Sequence, residues 1–322
     1  MKHVFLINPR AGKRDQTFRL QAMAKRLAAA HGLDCQCLLT DRPGAAESMA
    51  RALAETGEPV RIYACGGDGT LHEAANGIAG YENAAMTAIP AGTGNDFLKN
   101  FGADAAKFSD AENLWDGPAF PLDLIDCNGR LCLTIACSGI DARIADSVHR
   151  YGAPLSGRGS YLLSVAVNFL FKPIGRRWRV ELDGDAIEDD FALVSMCNGR
   201  YYGGGSMPVP QARMDDGVLE TILVKNVPKT TFARLFPAYS AGECWKFPHI
   251  ARVVTARRVV IFACSGEEDI VTCLDGESVR SREVRLGLSD RRVNFFGPAG
   301  CNPNATARGD ARRSAGGRPA EV

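Results

Sequence analysis

Three short segments rich in glycine and small polar residues offer the clearest chemistry in this chain. Each follows a predicted β-strand, and they read Asn8-Pro9-Arg10-Ala11-Gly12-Lys13, Cys65-Gly66-Gly67-Asp68-Gly69-Thr70 and Pro90-Ala91-Gly92-Thr93-Gly94-Asn95-Asp96. Glycine lets the backbone approach a ligand closely, and the N–H groups of such turns, with a helix behind them, favour phosphate. Because the ends of parallel strands lie side by side, the sequence predicts one phosphate site built from converging turns.

Asp68 is an unexpected residue beside a bare phosphate, since both carry negative charge. A divalent cation between them would make the carboxylate useful. The alternative is an ordinary turn in which Asp68 caps the following helix, and Asn95 or Asp96 could do the same in the third turn. Lys13 and Thr40 also have ordinary alternatives, as a surface lysine and as a turn residue after the second strand.

The elements around these turns alternate over residues 3 to about 120. We predict strands over residues 3–7, 34–39, 61–64 and 86–89, and amphipathic helices over 17–31, 45–56 and 71–78. Regular alternation of strands and helices predicts a doubly wound, mostly parallel sheet. The first half of the chain is therefore an α/β domain, for which we predict residues 1–122.

The second half has a different character. Asn128-Gly129 and Asp183-Gly184 predict two hairpins, formed by residues 121–127 with 130–136 and 178–182 with 191–196. Further predicted strands cover 219–224, 258–262, 270–274 and 282–288, and helices cover 142–150 and 161–171. Residues 123–287 thus form a mainly antiparallel β-sandwich, and the aperiodic segment 301–322 is predicted to be disordered.

Composition limits the classes of function. The 322 residues are 46% apolar with a net charge of +1, which allows a full core and gives no general attraction to nucleic acid. The 11 cysteines include no C-x-x-C pair and the five histidines show no zinc spacing, so we expect reduced thiols in a cytoplasmic protein.

The start of the chain does not resemble a signal peptide, and we expect no transmembrane segment. The apolar stretch 161–171 is followed by Lys172, Arg176, Arg177, Trp178 and Arg179. This region is either a peripheral contact with a membrane or a core helix followed by a solvated strand.

Together the three turns resemble the diacylglycerol kinase catalytic domain and its bacterial lipid-kinase relatives, which include sphingosine and ceramide kinases. Gly-Gly-Asp-Gly-Thr alone would be less specific, because NAD kinases and phosphofructokinases have related turns. The resemblance continues through Asn198-Gly199-x-Tyr201-x-Gly203-Gly204-Gly205, Pro210-x-Ala212-x-x-x-Asp216-Gly217 and Leu274-Asp275-Gly276-Glu277. It spans residues 3–297, implies an NAD kinase-like first domain, and implies that a segment near 288–300 returns to that domain.

The resemblance also implies roles for individual residues. Those implied to contact ATP are Asn8, Lys13, Thr40, Gly66, Gly67, Asp68, Gly69, Thr70, Gly92, Thr93 and Asn95. Asp68, Asp96 and Asp123 would lie near the phosphates with Mg²⁺, although Asp123 could instead be a polar residue on the outer face of a strand. Glu277 would be the general base, and Asp275 would orient it or help to bind metal; the alternative is an ordinary Asp-Gly hairpin followed by a surface glutamate.

A second, structural Mg²⁺ site is implied at Asp216 with the carbonyls of Arg213 and Val218, or the loop is an unmetallated turn. The implied activity is ATP- and Mg²⁺-dependent phosphorylation of a lipid at a membrane surface, with diacylglycerol as the leading acceptor. A sphingoid base, another lipid or NAD remains an alternative acceptor, and an inactive lipid- or nucleotide-binding regulator remains an alternative class. We keep a homodimer open.

Overall fold

The structure is a computed structural model that describes residues 1–151 and 172–304. The predicted helix over residues 161–171 and the tail from 305 onwards lie outside these ranges. Within the two described ranges, no helix is long and apolar enough to cross a membrane.

The first domain contains a six-stranded sheet. Its strands are β1 (Lys2–Ile7), β2 (Asp34–Leu39), β3 (Val60–Gly66), β4 (Ala84–Pro90), β5 (Ala119–Leu122) and β17 (Val293–Phe296), in the order β2-β1-β3-β4-β17-β5. All neighbours pair in parallel except β17 and β5. β1 and β3 are nearly continuous apolar runs because both faces of a parallel sheet are covered.

The covering helices are α1 (Thr17–His31), α2 (Ala45–Glu55) and α3 (Asp68–Ile78). α1 buries Leu20, Met23, Ala24 and Leu27, which recur with the spacing of one helix face. It ends at Gly32, whose φ of 65° is the left-handed conformation that terminates helices and that glycine adopts without strain.

The end of the chain completes the first domain. Phe295 on β17 packs against Phe97, Phe101 and Phe108, which belong to the 3-10 helical segment Phe97–Ser109. Its neighbour Phe296 meets Tyr63 edge-to-face at 5.2 Å between ring centroids. This aromatic core therefore ties the last strand to the domain that contains the first.

The second domain is antiparallel. Its strands are β6 (Ile125–Cys127), β7 (Arg130–Cys132), β8 (Ile135–Gly139), β9 (Arg176–Leu182), β10 (Asp185–Cys197), β11 (Glu220–Lys225), β12 (Ala251–Thr255), β13 (Arg258–Ala263), β14 (Ile270–Leu274), β15 (Glu277–Ser281) and β16 (Glu283–Leu288). The first part of β10 pairs with β9 and the second part with β8 and β11, so β10 connects two groups of strands around one core. Its helices are α4 (Ile140–Tyr151) and α5 (Lys229–Ser240).

The predicted fold class, an α/β domain with a mostly parallel sheet followed by an antiparallel β domain, is confirmed. Both predicted hairpin turns are also confirmed: Asn128 and Asp183 have φ of 51°, and the glycine after each has positive φ.

Other predictions need correction. The single strand expected over 121–127 is two strands, because β5 joins the first sheet and β6 the second. Trp178 is 2% exposed, so its suggested place at a membrane surface is wrong. β12, β15 and α5 were missed because their short, half-exposed sequences carry weak patterns.

Candidate active site

The three glycine-rich turns are in direct contact. A Cβ atom on Gly12 would lie 2.3 Å from the carbonyl oxygen of Ala91, and one on Gly92 would lie 2.5 Å from Cα of Gly67. Real Cβ atoms do not approach other atoms so closely, so glycine is required for the backbones to meet. The predicted convergence of the turns at one edge of the sheet is therefore the observed arrangement.

Asp68 connects the second turn to the third. The N-cap of α3 is Gly67, and the Asp68 carboxylate accepts hydrogen bonds from the N–H groups of Asp96 at 3.1 Å and Phe97 at 3.2 Å. The helix-cap interpretation of Asp68 is thus wrong. Burial raises the pKa of Asp68; the two N–H groups oppose this rise, and the charges of Asp96 and Asp275 add to it.

Asp96 connects the third turn to the second domain. Its carboxylate pairs with Lys99 and accepts the N–H of Gly204 at 2.7 Å. Gly204 lies between Gly203 and Gly205, and all three have positive φ, which favours glycine. The Gly203–Gly205 run of the second domain thereby contacts the third glycine-rich turn.

Most of the other predicted nucleotide residues surround the same turns. Asn8 donates to the Thr70 hydroxyl at 3.1 Å, and the Asn95 amide donates to the Gly92 carbonyl at 3.0 Å. Thr40 closes the end of β2 onto β1 through its N–H bond to Ile7 at 2.9 Å. By contrast, Lys13 and Thr93 are exposed.

Asp275 anchors a hairpin to the first domain. Asp275 and Gly276, with φ of 49° and 105°, form the turn between β14 and β15. The Asp275 carboxylate accepts the N–H groups of Leu133 at 2.6 Å and Thr134 at 2.9 Å and contacts His72 on α3 at 3.1 Å. Burial raises the pKa of Asp275, but the bonds from His72, Thr134 and Leu133 outweigh burial and leave the pKa below its ordinary value.

Glu277 follows this turn and faces the phosphate turn from the second domain. Its side chain is exposed, and its Oε1 lies 3.4 Å from the position that a Cβ would occupy on Gly69. An accessible carboxylate directly above a glycine-rich phosphate turn has the position that a general base needs.

A cavity of about 240 Å³ extends from Asp68 and Gly276, which are the chain neighbours of Gly69 and Glu277, into the second domain. Asp68, Asp96 and Asp275 lie in its wall together with an apolar part that includes Ile135, Cys137, Ile144, Ala145 and Phe236. The cavity therefore joins a polar region with three carboxylates to walls suited to hydrocarbon.

Comparisons with known proteins agree with this geometry. Residues 2–127 match the diacylglycerol kinase catalytic domain, and residues 134–294 match the YegS C-terminal NAD kinase beta sandwich-like domain. The chain belongs to the diacylglycerol kinase family of lipid kinases.

Relatives of the chain come from several bacteria. The chain is 30% identical to a diacylglycerol kinase of Mycobacterium tuberculosis, over 70% of this chain and 73% of the relative. It is 29% identical to a Pseudomonas aeruginosa protein named "Probable lipid kinase YegS-like", over 74% and 77%. A solved structure from Bacillus anthracis, described as a diacylglycerol kinase, superposes with a TM-score of 0.71 at 26% identity, covering 92% of this chain and 96% of that one.

Asp123 is buried, and its described side-chain partners lie outside the three glycine-rich turns. It is 1% exposed, pairs with Arg292 at 2.8 Å and accepts the N–H of Gly217 at 2.7 Å. Its described partners thus belong to the 213–217 loop and to the segment before β17, rather than to the turns that hold Asp68 and Asp96. The grouping of Asp123 with those two carboxylates stays a prediction.

The predicted metal loop is a tight turn in which Asp216 accepts the N–H of Val218 at 3.1 Å and lies 3.8 Å from Arg213. Burial, with the charge of Asp216, raises the pKa of nearby Glu220 to about 7. Within the described part of the chain, Glu220 Oε2 is buried without a hydrogen-bond partner. The carboxylates of Asp216 and Glu220, one of which has an unpaired oxygen, suit a cation. No cluster of three or more His, Cys, Asp or Glu side chains that could hold a metal ion occurs in residues 1–151 and 172–304.

Sequence reasoning missed a polar group in the wall of the cavity. The Tyr202 hydroxyl donates to Asp141, at the start of α4, and lies 2.9 Å from the Tyr239 hydroxyl. Burial raises the pKa of Asp141, which lies in the wall of the cavity. Tyr202 adjoins the Gly203–Gly205 run, but nothing in the sequence connects it with Asp141.

Proposed function

We propose that this protein is an ATP- and Mg²⁺-dependent kinase that transfers the γ-phosphoryl group of ATP to a lipid hydroxyl, with diacylglycerol as the leading acceptor and phosphatidic acid as its product. The observation that carries the proposal is the position of Glu277 above Gly69, because their chain neighbours Gly276 and Asp68 line the cavity with its apolar wall. A phosphate site or an apolar cavity alone would allow many functions. Their junction beside an accessible carboxylate favours transfer of phosphate to an alcohol.

The residues divide into two sets with different tasks. The backbone N–H groups of the Gly66–Thr70 and Gly92–Asn95 turns, with Asn8, Lys13 and Thr40, would hold the ATP phosphates. Asp68 and Asp96 would face hydrated Mg²⁺, which neutralises phosphate charge when bound. The carboxylate chemistry fits this ion, because burial raises the pKa of Asp68, the charges of Asp96 and Asp275 add to the rise, and a cation would offset that repulsion.

Glu277 would remove the proton of the acceptor hydroxyl as the bond to phosphorus forms. Asp275 would act as a positioning residue, since its carboxylate is already used by Leu133, Thr134 and His72. The apolar wall would hold the hydrocarbon of the acceptor. Asp141 in that wall keeps a sphingoid base, which carries an amine, as a second candidate acceptor.

An ATP-turnover assay over a panel of acceptors in mixed micelles tests the proposal. The panel contains diacylglycerol, ceramide, a sphingoid base and NAD, and the Glu277→Gln protein controls for contaminating kinases. We expect diacylglycerol to be phosphorylated fastest. Faster phosphorylation of NAD would disprove the lipid-kinase function, and binding of ATP without any turnover would favour the inactive regulator.

The structural Mg²⁺ site is proposed at Asp216, the carbonyls of Arg213 and Val218, and the adjacent Glu220. We expect added Mg²⁺ to raise the melting temperature of the wild type but not that of Asp216→Ala, because a bound cation stabilises the folded state. Asp215→Ala is the matched control, since Asp215 is exposed and contacts Arg213 and Asn304 instead. Measured without ATP, an equal response of all three proteins would argue against this metal site.

A further inference from the structure

Two aromatic side chains of the second domain are exposed close together in the chain. Trp245 is 73% exposed in the 3-10 segment Cys244–Lys246, and Phe236 on α5 is 41% exposed. The segment packs on the end of α5, because the Glu243 N–H bonds to the Ala238 carbonyl at 2.8 Å. Large exposed aromatic residues on one such unit mark an interaction surface.

The charges around these aromatic residues are mainly positive. Arg234 and Lys246 are exposed, and the Lys246 ammonium lies 5.5 Å from the centre of the Trp245 ring. Lys246 also pairs with Glu243 at 2.6 Å, which reduces but does not remove the local positive character. Tryptophan beside lysine is suited to a bilayer interface, where the ring enters the headgroup layer and the ammonium stays hydrated.

Phe236 connects this surface to the cavity of the active site. It is exposed, yet it lies in the wall of the cavity that also contains Asp68 and Asp275. On α5 it stacks between Phe232 at 6.3 Å and Tyr239 at 6.1 Å, and Tyr239 is only 6% exposed. This aromatic row therefore runs from the protein surface to the interior of the second domain.

We propose that α5 and residues 244–246 dock the protein on the surface of a phospholipid bilayer, with the Phe236 side of the cavity facing the lipids. The proposal rests on the proposed lipid-kinase function and adds the surface through which the acceptor enters. It differs from the region after residue 161 that sequence reasoning suggested. A bilayer is favoured over a protein partner because an insoluble acceptor has to reach a cavity whose wall includes an exposed residue of this same surface.

Vesicle sedimentation tests the docking surface. Vesicles are made of phosphatidylcholine with or without phosphatidylglycerol, and wild type is compared with Trp245→Ser. We expect the partition coefficient to fall roughly tenfold in Trp245→Ser, because a large aromatic side chain no longer leaves water. Lys246→Glu should weaken binding only to vesicles that contain phosphatidylglycerol.

Phe18→Ser is the matched control, because Phe18 is 85% exposed but lies on α1 of the other domain. This variant should bind vesicles like the wild type. Tryptophan fluorescence gives a direct readout of docking. Of the other two tryptophans, Trp178 is buried and Trp115 stacks on His31, so we expect Trp245 alone to enter the lipid. The blue shift of the emission on vesicle addition should therefore disappear in Trp245→Ser. Equal binding by Trp245→Ser and wild type, or an equal loss in Phe18→Ser, would overturn the proposal.

Two further measurements separate this proposal from its alternatives. With a short-chain, water-soluble diacylglycerol, Trp245→Ser should keep the wild-type rate, which also shows that it is folded. If the wild type phosphorylates no lipid but binds vesicles through Trp245, the proposed function fails and the docking surface stands. If Trp245→Ser instead abolishes self-association in light scattering without changing vesicle binding, the surface is an interface between copies of the chain and the proposal is wrong.

Discussion

The phosphate turns and the acceptor cavity are built in opposite ways. The turns are made of backbone. Glycine is needed there because neighbouring backbone segments approach so closely that they leave no room for a Cβ atom. The cavity is made of side chains from β8, α4, α5 and the 202–206 segment. Under the proposed function, the backbone turns bind ATP, which every kinase of the family would share, whereas substitutions in the side-chain cavity could change the acceptor. Substitutions in the turns should therefore affect ATP binding and turnover, whereas substitutions in the cavity should affect the choice of acceptor.

The largest expected effect lies where the two regions meet. Glu277→Gln keeps the size of the side chain but cannot accept a proton, so turnover should fall by roughly 10²- to 10⁴-fold. ATP affinity should change little, because Glu277 comes from the second domain. Steady-state kinetics and ATP titration check this, and Glu283→Gln on β16 is the control. Loss of ATP binding with a normal rate would make Glu277 a nucleotide residue, with Asp275 the next candidate base.

Asp68→Ala should reduce turnover by about 10²-fold or more, because it removes charge that acts on the transferred phosphate. Unlike Glu277→Gln, it should also weaken binding of ATP with Mg²⁺. Asp34→Ala, which removes an exposed aspartate of the same domain, should leave both quantities unchanged. Near-normal turnover in Asp68→Ala would reduce Asp68 to a structural residue of the third turn.

Gly92→Ala tests the backbone construction itself. The new Cβ would force the second and third turns apart, so we expect ATP affinity to fall roughly tenfold together with thermal stability. Gly32→Ala, at the end of α1, introduces strain of about 1 kcal/mol in open space and should lower stability without changing ATP affinity. Equal ATP affinities in the two variants would show that close contact of the turns is not required.

The smallest expected effect concerns the anchor between the domains. The pKa of Asp275 is lowered in the folded protein, so its stabilising contribution is complete above the unfolded pKa of about 3.9 and is lost as the pH falls through the folded pKa. Stability of the wild type should therefore fall below about pH 4. Denaturant titrations across this range should show a shallower decline for Asp275→Asn than for wild type or Asp34→Ala, and parallel declines would contradict the assigned role.

The backbone turns could be predicted from the sequence, whereas the contacts between distant side chains could not. The glycine turns, the strands before them and the Asn128-Gly129 hairpin are local patterns, because φ preference and apolar runs are properties of neighbouring residues. The position of Glu277 was predictable only by resemblance, since its local sequence fits an ordinary hairpin equally well. The partners of Asp123 could not be predicted, because its ion pair with Arg292 joins residues that are far apart in the chain.

The sequence by itself determined an α/β domain with converging glycine-rich turns and an antiparallel domain after it, because turn chemistry and hydrophobic period act over a few residues. Tertiary structure alone decided that Glu277 lies above Gly69 and that Asp141 meets Tyr202. It also decided that Phe236 is both exposed and part of the cavity wall. Those contacts join elements from distant parts of the chain, and their distances depend on how two sheets pack rather than on any local preference.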